Sequence, residues 1–82
     1  MNKKNEEDNF NSWVIYNSPI EYPGEFVARR WVTTPPPVKI YPTDDIFRAK
    51  SLKIIRKEME RRYLYRLDRN PSDDPSIVEC WI

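Results

Sequence analysis

The sequence predicts an α+β domain, a small and mostly antiparallel sheet of four to five strands packed against one helix. Three observations carry this expectation. Runs of β-branched and aromatic residues recur at 13–16, 26–32 and 77–82, each short enough for a strand. One stretch, 52–62, spaces its apolar residues with helical period. A single helix must bury that stripe, and a sheet face is the only large partner so short a chain can offer.

Residues 1–11 are polar and without periodicity, so they read as a flexible tail ahead of one α+β domain at 12–82. Trp13-Val14-Ile15-Tyr16 is the first strand. Tyr22-Pro23-Gly24-Glu25 fits a type II turn, with Pro second and Gly third, where positive φ is required. Phe26 to Val32 is the next strand, with Phe26, Ala28, Arg30 and Val32 on one face and Val27, Arg29 and Trp31 on the other. Neither face is cleanly apolar, which implies that both are partly covered. Pro35-Pro36-Pro37 lacks amide donors and reads as a rigid extended connector.

Residues 43–50 allow two readings. A helix can open at Thr43, with Asp44 and Asp45 in its first turn where the dipole favours them. Alternatively, Ile46 to Ala49 is a short strand and Ser51 caps a helix from Leu52 to about Arg62. The second is favoured: it lines up Leu52, Ile55, Met59 and Tyr63 in one stripe and leaves Lys53, Arg56, Lys57 and Glu60 opposite. Tyr63 to Leu67 is rich in strand formers, 68–76 is a turn-rich loop, and Ile77 to Ile82 is the last strand, with Ile77, Glu79 and Trp81 on one side. The last two strands are expected to be a hairpin or near neighbours.

Composition narrows the chemistry. The 82 residues include no His and one Cys, Cys80. Histidine-based catalytic pairs, thiolate or imidazole zinc sites and an intramolecular disulfide are therefore excluded. One glycine, Gly24, excludes a glycine-rich phosphate loop. No metal site and no cofactor are expected, and the adjacent Asp73 and Asp74 ahead of Pro75 read as turn caps. No apolar run reaches the ~18 residues of a membrane span, and the charged start lacks the apolar segment of a signal peptide, so a cytoplasmic protein is expected. The net charge of +1 hides an asymmetry: residues 48–69 carry nine bases and three acids (+6), the rest five and ten (−5). Such a dipole can set a basic side against an anionic partner.

The segments Trp13-Val14-Ile15-Tyr16, Tyr22-Pro23-Gly24-Glu25-Phe26-Val27-Ala28-Arg29-Arg30-Trp31 and Asp73-Asp74-Pro75-Ser76-Ile77-Val78-Glu79-Cys80-Trp81-Ile82 resemble small uncharacterised proteins of bacteria and their phages. That group has a PxxFVxRxW strand, a Ser-Leu helix start, here Ser51-Leu52, and a DDPxIVExW ending. The resemblance implies the fold layout and a prokaryotic or phage origin. It assigns no catalytic residue, and the three prolines and the basic helix depart from it.

Arg29, Arg30 and Trp31, joined by Arg66 and Trp81, are the candidate ligand-binding residues. Arginine forks onto phosphate and an indole stacks on a base. Glu79 is expected to pair with an arginine inside the sheet, such as Arg30, and Cys80 to be a buried small hydrophobe. Lys53, Arg56, Lys57, Trp13 and Tyr22 are candidates for contact with a partner. Eleven aromatic residues exceed what a core this small hides, so self-association into a homo-oligomer is expected. The function these features imply is non-enzymatic: a phage-encoded protein that counters a host defence by sequestering an anionic nucleotide signal or by covering a host protein. The alternative is a nucleic-acid-binding accessory protein using the basic helix 52–62.

Overall fold

The computed structural model describes residues 8–82. Five strands, β1 (Phe10–Asn17), β2 (Phe26–Thr33), β3 (Ile40–Ala49), β4 (Arg66–Asp68) and β5 (Ile77–Trp81), form one sheet in the order β3-β2-β1-β5-β4. Every neighbouring pair is antiparallel. A single helix, α1 (Leu52–Arg61), completes the α+β fold. No helix among the described residues is long and apolar enough to cross a membrane.

Alternation along the strands sends Trp13 and Ile15 of β1, Phe26 and Ala28 of β2, Phe47 and Ala49 of β3 and Trp81 of β5 to one face, where Leu52, Ile55 and Met59 of the helix cover them. Ile15, Ala28, Ile55 and Met59 are wholly buried. Each large one contributes about 1.5–3 kcal/mol of apolar transfer. The opposite face, with Val14, Val27, Arg29, Trp31 and Cys80, carries no helix among the described residues.

Local chemistry sets the boundaries. Glu25 N–H donates to Tyr22 O (3.3 Å) and Gly24 has φ 80°, as a type II turn requires. Ser51 Oγ accepts from Lys53 N–H (3.1 Å) and caps α1. The strand reading of 43–50 holds, with a strand longer than expected that also includes Pro42.

Four expectations are corrected. Phe10 and Asn11 pair with Thr33 and Val32 and so belong to β1, while residues 1–7 of the expected tail lie outside the described residues. The prolines are not an extended connector. Thr34 N–H donates to Lys39 O (2.9 Å) and Lys39 N–H to Thr34 Oγ1 (2.9 Å), which closes 34–39 into the loop between β2 and β3. Tyr63 is not in the buried stripe but 90% exposed at φ 63°. The helix ends in a Schellman arrangement, Tyr63 N–H to Glu60 O (2.9 Å) and Leu64 N–H to Met59 O (3.2 Å), which turns Leu64 inward instead. Cys80 is half-buried on the helix-free face rather than in the core, and burial raises its thiol pKa.

Candidate ligand-binding site

Neighbouring arginines of β2 diverge to opposite faces. Arg29 stands opposite Val14 on the helix-free face, and Arg30 stands opposite Trp13 on the helix side. The register of β1 and β2 places Ser12 opposite Trp31 and Tyr16 opposite Val27. Tyr16 and Trp31 therefore flank the Arg29 row, and Trp31 Nε1–H donates to Tyr16 Oη (3.2 Å). The β1–β2 connection, folded back by the Ser18 N–H to Glu25 O bond (2.7 Å), brings Pro19 and Tyr22 over the same edge.

Tyr16, Pro19, Tyr22 and Trp31 line a cavity of about 410 Å³, to which Val27, Arg29, Glu21 and Pro42 also contribute. Its size lies in the range of small-molecule sites. Val27 is almost fully buried beneath it. Arg29 Nη1 donates to Thr43 O (2.6 Å), which fixes the guanidinium and leaves further donors for a ligand. The Arg48 guanidinium stacks 4.4 Å from the Tyr22 ring centroid and lies 3.4 Å from Glu25. The site thus joins three aromatic rings and a held guanidinium, the parts needed to stack a planar base and fork onto an anion.

The other candidates go elsewhere. Arg30 Nε donates to Asp45 Oδ2 (2.8 Å) and Nη1 to Asn11 (3.0 Å). Arg30 lines a larger and more open cleft of about 670 Å³ with Trp13, Arg62, Leu64 and the carboxylates Asp44 and Asp45. There Arg62 stacks 4.7 Å over Trp13 and bonds Glu58 (2.8 Å). Both cations are already paired, Arg30 with Asp45 and Arg62 with Glu58, and Asp44 adds a further carboxylate. The smaller cavity also has one carboxylate in its lining, Glu21, but its guanidinium is held by the neutral Thr43 carbonyl, so it is the better anion site despite its size. Trp13 and Trp81 are core residues.

Glu79 is the one buried charged residue among those described. Its expected partner in the sheet, Arg30, is replaced by Arg56 of the helix, which forks onto it through Nε (3.0 Å) and Nη2 (2.8 Å). Arg56, expected opposite the apolar stripe with Lys53, Lys57 and Glu60, is instead half-buried on the flank of the helix, from which its long stem reaches the sheet. Trp81 Nε1–H adds a third bond (2.8 Å), and Arg66 Nη1 lies 3.9 Å away. Burial alone raises the Glu79 pKa, but the bonds from Arg56 and Trp81 and the charges of Arg56 and Arg66 outweigh it and hold the carboxyl below its ordinary value. Arg56, Arg66 and Trp81 therefore build a structural network rather than a ligand site. Lys53 and Lys57 are exposed and make no ion pair among the described residues.

Protein-family models, curated proteins and solved structures contain no match to the chain. The site is thus read from its own geometry. Arg29, Trp31 and Tyr22 are brought together as candidates from the sequence; Arg30, Arg66 and Trp81 are not. Tyr16 and Arg48 were not among the candidates. Tyr16 follows from strand alternation once Trp13 and Ile15 are placed in the core, whereas Arg48 depends on the register of β3 against β2, which no local pattern reveals.

Proposed function

We propose that the chain is a non-enzymatic binding protein that captures an anionic nucleotide in the cavity on the helix-free face. The supporting observation is the convergence of Tyr16, Tyr22 and Trp31 on the same 410 Å³ space as Arg29. A base stacks on the rings, and the phosphate takes the unused donors of Arg29 with help from Arg48 at the rim. In a phage-infected cell such a protein acts in the host cytoplasm, as a homo-oligomer, by removing a nucleotide signal from a defence system.

A thermal-shift screen with nucleotides and cyclic dinucleotides tests it, because a ligand that binds only the folded state raises Tm by mass action. The expected result is a rise with at least one nucleotide, lost in Trp31→Ala and Arg29→Ala and kept in Arg30→Ala. No shift with any nucleotide overturns nucleotide capture and leaves the companion reading, in which the exposed Tyr63 and Tyr65 cover a host protein. Nucleic-acid binding through helix 52–62 has less support. Arg56 is committed to Glu79, and Arg61 and Arg62 to Glu58, leaving Lys53 and Lys57 as the helix's unengaged cations. Affinity for DNA that falls steeply with salt and is lost in Lys53→Ala/Lys57→Ala is the outcome that favours it.

A further inference from the structure

The two edges of the sheet differ in how they meet solvent. At β3 an edge ladder is interrupted by Pro42, which has no amide, and flanked by exposed Asp44 and Asp45, features that discourage pairing. At the other edge β4 exposes Arg66, Leu67 and Asp68, with Tyr65 78% and Leu67 47% exposed.

Hydrogen-bond phase shows which backbone groups of β4 are unused. Tyr65 and Ile82 exchange both bonds (2.7 and 2.9 Å), so they are a hydrogen-bonded pair. The register continues without a shift through Arg66 opposite Trp81, Leu67 opposite Cys80 and Asp68 opposite Glu79. Antiparallel pairs alternate, so Leu67 points its amide and carbonyl toward β5, and Arg66 and Asp68 point theirs outward.

From this phase we infer that β4 pairs antiparallel with β4 of a second copy, about a two-fold axis at Leu67, joining the two sheets into one. Only that centre satisfies the outward groups symmetrically: Arg66 of each copy lies opposite Asp68 of the other, and each such pair exchanges two backbone bonds, four in all. The same register sets the Arg66 guanidinium across from the Asp68 carboxylate twice, on the helix side of the sheet, and Leu67 against its own copy on the open side. Tyr65 then stands opposite Arg69, an aromatic facing a cation. The strand is self-complementary in charge, in hydrogen-bond phase and in apolar centre, as an isologous interface requires. Neither the Leu64 nor the Asn70 amide extends the ladder, since they already donate to Met59 O and Asp73 Oδ2. This inference gives the proposed homo-oligomer its interface and does not depend on nucleotide capture.

Native mass spectrometry and sedimentation equilibrium of the full chain without nucleotide provide the test. The expected state is a dimer at micromolar concentration. Asp68→Pro removes an outward donor while leaving the β4–β5 bonds in place, and is expected to give a folded monomer. Asp68→Arg and Arg66→Asp are each expected to be monomeric alone, because like charges then face each other twice, and to form a heterodimer when mixed. Far-ultraviolet circular dichroism and Tm establish that each variant is folded. A wild-type chain that stays monomeric at every concentration overturns the inference. So does a dimer that survives Asp68→Pro and both charge variants. Trp31→Ala, which abolishes the proposed nucleotide shift, is expected to leave the dimer unchanged, so the two proposals fail separately.

Discussion

Trp13 and Trp31 lie on adjacent strands, one register position apart, and point to opposite faces of the same sheet. Trp13 is 7% exposed beneath the helix, with Arg62 stacked over its ring. Trp31 is half-buried on the open face, with its indole N–H held by Tyr16. On the covered face the charged side chains are committed to one another: Glu79 takes two bonds from Arg56 and one from Trp81, and Arg30 is held by Asp45. On the open face Arg29 gives one bond to Thr43 and keeps donors to spare. The charged groups of the covered face hold one another, whereas the Arg29 guanidinium on the open face is held by a backbone carbonyl.

The sharpest way to break this contrast is to truncate both tryptophans. Trp13→Ala removes a core ring and is expected to cost about 3–5 kcal/mol. Trp31→Ala is expected to cost about 1 kcal/mol while abolishing the nucleotide shift. Urea unfolding measures both, and equal losses of stability end the distinction between a structural and a functional face.

A second comparison sets the two faces' ion pairs against each other. Glu79→Ala leaves Trp81 Nε1–H and the Arg56 fork without their acceptor, an expected loss of about 2–3 kcal/mol even though Arg56 is partly solvated. Glu25→Ala removes the half-buried partner of the exposed Arg48, a pair at 3.4 Å, and is expected to change stability by less than about 0.5 kcal/mol. Similar midpoints for the two variants contradict this ranking.

The same pairing sets a pH dependence. Glu79 and Glu58 both have folded-state pKa values below ordinary, Glu79 because its bonds and cations overcome burial, Glu58 because Arg61 and then Arg62 donate to it. A depressed carboxyl stabilises fully above its unfolded value, about 4.3, and that share is lost as pH falls through the folded value. Wild-type Tm is therefore expected to fall on acidification below this point. Glu79→Gln, already lacking its share, is expected to fall less, so the two curves converge. Curves that stay parallel from pH 7 to pH 3 remove Glu79 from the acid response.

Much of this architecture is legible in local pattern. The strands at 13–16, 26–32 and 77–82, the Gly24 turn and the Ser51 cap each depend on residues within a few positions of one another, and each is found. What local pattern misses is set across the fold. The Arg56–Glu79 bond spans 23 positions and needs the helix laid on the sheet before it exists. Arg29 and Arg30 are equivalent as neighbours in sequence, and only the pairing of β2 with β1 and β3 gives one to a cavity and the other to Asp45. The Thr34 and Lys39 bonds that bend the proline segment need β2 and β3 to be partners already.

Tyr63 joins the two regions, and its test has a small expected effect. Its backbone is dictated by the covered side, because the helix must end in a left-handed residue for Leu64 to reach the core. Its side chain lies almost wholly in solvent. A tyrosine is a poor choice for that φ, where glycine adopts the conformation without a Cβ penalty. If stability alone governed the position, Tyr63→Gly is the better residue there, and it is expected to gain about 0.5–1 kcal/mol after allowing for the greater freedom of the unfolded chain. Tyr63→Ala keeps the Cβ and is expected to gain nothing. A urea midpoint that rises for glycine and not for alanine shows a backbone cost borne for an exposed ring, as a binding surface demands. A midpoint that falls for glycine shows that the ring itself packs on the domain, and Tyr63 then belongs with the covered face.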